Sequence, residues 1–200
     1  LGRGEFSDST VNAEIFSKIA SELSKNGIAR GIKIMVHRVV HGGSRYHKPI
    51  RITEAILQDL KSYSHLAPLH NPHNIRGIEL AQRAFPKALH YAVFDTGFFS
   101  SLPRKARLYP IPLLYAKIHG IQRYGFHGIS HQYAKERASE KLQKSKPSLI
   151  TIHLGAGCSI SAIKKGFPID TSMGFTPMEG LMMWSRAGDM DPGILLETAH

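Results

Sequence analysis

Cysteine is almost absent from the 200 residues: Cys158 stands alone, which excludes an internal disulfide and a zinc site built from several cysteines. A reducing, cytoplasmic setting is therefore expected. No apolar run approaches the roughly 20 residues of a membrane-spanning helix. Leu1 to Glu5 lacks the apolar stretch of a signal peptide, and the chain does not start with Met. Repeats and low-complexity tracts are missing too. Acidic residues are few, 15 against 26 Lys and Arg, which leaves a formal charge of +11. The surplus is uneven: residues 1–150 carry +13 and residues 151–200 carry −2. Such a surplus fits phosphates, carboxylates or nucleic acid as partners, and equally a surface charged for solubility. No aromatic-interleaved basic run marks a nucleic-acid site.

What is present reads as a soluble α/β protein, with 42% apolar residues, 18 Gly and 11 Pro. Asp8-Ser9 caps an amphipathic helix carrying Val11, Ile15, Phe16, Ile19, Ala20 and Leu23. Residues 32–40 read as a strand, 50–63 as a helix, and Asn71-Pro72 opens a helix to Ala84. Tyr91 to Phe94 forms a short strand, and Ser130 caps a helix to about Lys144. Strands 149–154 and 159–163 flank Gly155-Ala-Gly157, and Asp191-Pro192 opens a last helix. This alternation predicts a largely parallel sheet.

Several residues invite chemistry. Asp95 closes an apolar strand, the edge at which open α/β sheets bind ligands, though a turn or cap aspartate is the commoner case. Arg38 sits in an apolar run and needs an anionic partner if it is buried. Gly155-Ala-Gly157 lets backbone amides approach an oxyanion, but most short glycine turns are plain hairpins. His127 precedes a helix N-terminus, where a dipole favours anions. The His127/His131 spacing mimics a zinc pair without the required Glu. Arg186 offers a second guanidinium for a carboxylate or phosphate; the plain alternative pairs it with Asp189 and lets Asp191 cap the helix.

Taken together and in order, these segments resemble the acetate kinase family. The matching strings are His37-Arg-Val-Val-His-Gly-Gly43, Leu66-Ala-Pro-Leu-His-Asn-Pro72, Val93-Phe-Asp-Thr96, Arg123-Tyr-Gly-Phe-His-Gly128, His153-Leu-Gly155, Asp170-Thr-Ser-Met-Gly174, Thr176-Pro177, Gly188-Asp189 and Asp191-Pro192. The resemblance covers about residues 36–194. It implies a two-domain α/β fold of the actin-like ATPase type around a cleft, here incomplete at both ends. Residues 1–99 would be part of the first domain. Residues 100–200 would begin the second, with a nucleotide-phosphate hairpin.

The implied reaction is reversible phosphoryl transfer from ATP to acetate, giving acetyl phosphate and ADP with Mg²⁺, in a cytoplasmic homodimer with no nucleic-acid or membrane partner. The implied catalytic residues are Asp95, His127 and Arg186. Arg38, Val40, Leu69, His70, Phe126 and Pro177 would bind the substrate, with Val40 favouring acetate over propionate. His153, Leu154, Gly155, Ala156 and Gly157 would hold the nucleotide, and no Mg²⁺ ligand of the family falls in this chain. The sequence departs from the family pattern at Ala156, where Asn is usual, and at Trp184-Ser-Arg186, where Gly-Thr-Arg is usual. It departs also at Ser44, Phe99 and Ile129. The family's first-strand phosphate loop and its adenosine loop are not found. A truncated remnant without activity is the alternative.

Overall fold

The computed structural model describes residues 8–198, with side chains from residue 13 onward. The expectations placed on Leu1–Glu5, and the capping by Asp8-Ser9 and packing of Val11, lie outside these described residues and side chains. The chain divides into two compact units: residues 8–39 with 49–93, and 40–48 with 94–198.

In the first unit, helix α1 (Asp8–Lys25) packs against α3 (Asn71–Ala84), and α3 lies on strand β1 (Ile34–Val39) and on helix α2 (Glu54–Ser62). Ile75, Ile78 and Ala81 recur at helical spacing along α3 and are buried, Ile78 fully. Each of the two isoleucines contributes about 1.5–3 kcal/mol on leaving water. The sheet runs β1-β3-β2, with β3 (Leu89–Phe94) in the middle and β2 (Ile50–Arg51) antiparallel to it through Ile50–Ala92 and Arg51–Tyr91. The helix expected from Ile50 therefore starts later. Ile50 and Arg51 are taken by the sheet, and Thr53 Oγ1 accepts from Ile56 N to cap α2. His70, not Asn71, occupies the cap position of α3.

In the second unit, α4 (Arg104–Arg107) and α5 (Leu113–Ile118) follow a turn of tight helix over Gly97–Ser101. Helix α6 (Gly128–Leu142) packs against β4 (Leu149–Leu154) and against the 97–101 turn. Strands β4, β5 (Cys158–Lys164) and β6 (Phe167–Thr171) form a meander, antiparallel at both ladders. The antiparallel pairings of β2/β3 and β5/β6 correct the expectation of a largely parallel sheet, whereas β4/β5 is a hairpin, since its three-residue connection permits only antiparallel neighbours. Helix α7 (Pro192–Thr198) comes last, with Asp191 Oδ1 accepting from Gly193 N.

Where a division after Phe99 was expected, the compact units part between Val93 and Phe94, and residues 40–48 pack with the second. Ring contacts explain this grouping: Tyr46 stacks on Phe94, and His41 lies edge-on to Tyr124 and Phe126. No helix among the described residues is long and apolar enough to cross a membrane.

Candidate functional site

Strand β4 runs into Gly155-Ala156-Gly157, and Leu154 pairs with Cys158 across the turn. Gly155 N donates to Gly157 O at 3.0 Å, while the amides of Ala156 and Gly157 take no part in the loop's backbone bonding. A second turn, Met183 to Arg186, closes through Met183 N to Arg186 O and docks on the hairpin through Trp184 N to Ala156 O at 3.3 Å. Docking delivers Arg186 to the glycines. A Cβ on Gly157 would lie 2.6 Å from Arg186 Nη2 and 3.4 Å from His127 Nε2, so both groups close on the turn and a side chain there would push the guanidinium aside. Arg186 Nη1 donates to Pro177 O at 2.9 Å, and no carboxylate among the described residues pairs with it. Asp189 accepts instead from Gly180 N, which removes the Arg186–Asp189 pair considered from sequence.

His127 enters from the other side, immediately ahead of α6, in the left-handed conformation with φ 58°. That conformation costs a non-glycine residue of order 1–2 kcal/mol and is kept where neighbouring structure imposes it. Here Gly128 N donates to Asp95 O at 2.8 Å, and there is no space for a Cβ on Gly128 against that carbonyl. The helix starts two residues before Ser130, so Ser130 does not cap it. Its hydroxyl instead bonds His153 Nδ1 at 2.9 Å. The His153 ring stacks on that of His127, centroids 4.0 Å apart.

Behind these rings lies a network that composition and spacing did not reveal. Ser159 Oγ bonds both His127 Nδ1 at 2.9 Å and His131 Nε2 at 2.8 Å, and His131 Nδ1 bonds Thr151 Oγ1 at 2.8 Å. Burial, and then the His153 charge, lower the His131 pKa to about 4 against an opposing pull from Asp95, so the ring is neutral at pH 7. A neutral ring has one N–H and one lone pair, so the Thr151–His131–Ser159 chain restricts how His127 Nδ1 is bonded. His127 Nε2 lies 3.4 Å from the Cβ position of Gly157. The only sequence signal for this network was the period-two placement of Thr151 and Ser159 on facing strands.

The second unit thus brings together Asp95, His127, His153, Gly155–Gly157, Pro177 and Arg186, with Val40 and Phe126 buried in the same unit. Arg38, Leu69 and His70 belong to the first unit. Arg38 is not buried: strand alternation places it with Ile34 and Val36 on the exposed face of β1. Leu69 is exposed, and Leu154 points into solvent. The Trp184 indole is 93% exposed, so it does not fill the space beside the hairpin. A support below the site ties Arg123 to Glu179 and to the carbonyls of Thr171, Ser172 and Met173, while Tyr109 donates to Glu179.

A guanidinium and two imidazoles gather at a strand–glycine–strand turn, on a mixed α/β fold of the actin-like ATPase type. The chain belongs to the acetokinase family, whose model matches residues 4–199. It is 49% identical over 179 residues to the acetate kinase of Deinococcus radiodurans, covering 88% of this chain and 45% of that protein. It is 43% identical over 198 residues to the acetate kinase of Histophilus somni strain 2336, covering 97% and 50%. Among solved structures it resembles a propionate kinase from Francisella tularensis, with TM-score 0.90, 41% identity, and coverage of 94% of this chain and 49% of that one. It also resembles the acetate kinase of Entamoeba histolytica, with TM-score 0.84, 35% identity, and coverage of 94% and 48%. The chain spans about half the length of these relatives.

Proposed function

We propose that this protein contributes the phosphoryl-transfer centre of an acetate kinase, interconverting ATP and acetate with ADP and acetyl phosphate. The observation that carries the reading is the meeting of Arg186 and His127 at Gly157. Acetate has a pKa near 4, like Asp and Glu, and is ionised at pH 7, so no proton has to be removed before it attacks. A carboxylate oxygen bonds the γ-phosphorus as the bond to the ADP oxygen breaks, and the negative charge ends on the ADP phosphate. The obstacle is repulsion between two anions, which positioning and fixed positive or hydrogen-bonding groups overcome.

In this reading Arg186 and His127 stabilise the equatorial oxygens in flight. His153 and the amides of Ala156 and Gly157 hold the donor phosphates. Arg38 and His70 bind the carboxylate and phosphate ends of the substrates. Val40, Leu69, Phe126 and Pro177 form the acyl pocket, where the β-branched Val40 favours acetate over propionate. Mg²⁺ takes one or two carboxylates and otherwise water and phosphate oxygens. Asp95, whose field reaches His131, would help to position the ion or the substrate without ligating the metal or abstracting a proton. The ion would neutralise the donor phosphates. Exposed Leu114 and Ile118 on α5 support association of two copies in a cytoplasmic homodimer.

The test is acetyl phosphate formation by the complete gene product with ATP, Mg²⁺ and either acetate or propionate. Turnover that vanishes in Arg186→Ala and His127→Ala, with a lower KM for acetate, upholds the proposal. An inert wild-type protein overturns it in favour of a remnant without activity.

A further inference from the structure

A second polar space lies in the same unit as the proposed site but outside it. A cavity of about 100 Å³ is lined by Ser44, His47, Thr96, Arg107, Gln122 and Arg123, among others. No Asp or Glu lines it. Thr96 is 3% exposed, and its Oγ1 has no hydrogen-bond partner in the protein. A buried hydroxyl left unbonded is costly and uncommon. Arg107 spends only Nη2, on the carbonyls of Ser100 and Leu102; its Nε and Nη1 bond no described residue. The Gln122 amide is likewise uncommitted. Arg123 is different, since its donors are engaged by Ala106 O, the 171–173 carbonyls and Glu179. It contributes field rather than donors. The lining therefore offers an excess of donors and positive charge and no competing carboxylate.

We infer that this cavity is a binding site for one small oxyanion, of carboxylate or phosphate chemistry. The space equals roughly three waters, enough for a single acetate or phosphate and too small for a nucleotide. Arg107 and Gln122 donate to the anion oxygens, and Thr96 donates its hydroxyl proton. Thr96 follows Asp95 directly, and the 97–101 turn begins at Gly97, whose Cβ position meets His47 O. An anion held here fastens the turn that carries Asp95. The inference stands on the cavity alone and does not need the kinase reading.

The test uses the complete gene product carrying Arg186→Ala, which silences the anion end of the proposed catalytic site. Melting temperature is followed as phosphate, acetate or chloride is titrated at constant ionic strength. A saturable rise with phosphate or acetate, absent with chloride, is expected, and the tighter of the two identifies the ligand. Adding Gln122→Leu weakens the apparent affinity at least about tenfold, the worth of a hydrogen bond to a charged group. Adding Thr96→Val raises the melting temperature in chloride and blunts the response to the oxyanion. The inference is overturned if the Arg186→Ala protein responds to phosphate and acetate as it does to chloride. It is overturned as well if Gln122→Leu and Thr96→Val both leave a response unchanged, since the anion then binds elsewhere.

Discussion

Both units hold a stacked histidine pair, and the two pairs are bonded differently. In the first, His90 Nε2 bonds Phe85 O and His90 Nδ1 bonds His37 Nε2 at 2.9 Å, with the rings stacked. The His90 nitrogens are both spent, and the pair staples β1 to β3. In the second, Ser159 and Ser130 take one nitrogen each from His127 and His153, and the opposite edge of His127 faces a guanidinium and a glycine turn. Residue type and ring stacking are shared. What separates the two pairs is their surroundings: one lies between two strands of a sheet, the other beside a guanidinium at a glycine turn.

That contrast is sharpest in Arg186→Ala and His127→Ala against His90→Ala. The first two are expected to lower kcat about 10²–10³-fold, the usual loss when a group stabilising transition-state charge is removed. Loss of His90 is expected to cost about 2 kcal/mol of stability, by leaving buried polar groups unpaired, while kcat in the folded protein stays within a few-fold. Equal kinetic effects in both units would break the comparison. Denaturant melts alongside acetyl phosphate assays separate the two quantities.

A smaller effect is expected from Ser159→Ala, which frees the His127 ring without touching substrate. A fall in kcat of about tenfold is expected with KM for acetate held, because a loosened group loses alignment rather than affinity. Ser159→Thr, which keeps the hydroxyl, is expected to recover much of the loss. A KM effect alone would place Ser159 in the fold and not in the support of His127.

Acid tests both pairs at once. His37 is lowered to about 4 by burial and then by the His90 charge, and His131 to about 4 by burial and then by His153. Their folded values lie below the ordinary 6.5, so the unfolded chain binds more protons between these limits. Stability contributed by the neutral rings is full above pH 6.5 and is lost as pH falls toward 4. Urea melts across pH 4–7 are expected to show the midpoint falling with pH, with a shallower slope in His37→Gln. The smallest effect is expected at Thr53→Ala, which removes the α2 cap and costs about 1 kcal/mol in the first unit, with kcat unchanged.

Long periodic segments were legible: α3 and the β4–β5 hairpin follow directly from side-chain spacing. β2 was not, because two residues carry no periodicity and Ile50 also suits the helix behind Thr53. Sheet direction was misjudged because alternation of strand and helix does not fix the direction in which β2 joins β3 or β6 joins β5. At the site, the glycine turn, His127 and Arg186 stood out by type and by family likeness. Ser159 and Thr151 did not, since a hydroxyl on a strand reads as an ordinary pleat position until the neighbouring helix is known. The free donors around Thr96 were invisible for the same reason: they converge from residues 44 to 123.

The exposed side chain of Trp184 has a practical consequence. It is the sole indole of the chain, and its backbone is tied to Ala156. Tryptophan emission from these 200 residues is therefore the emission of a single turn. Its wavelength and quenching follow events at the hairpin, with no dye attached and no background from the remaining fold.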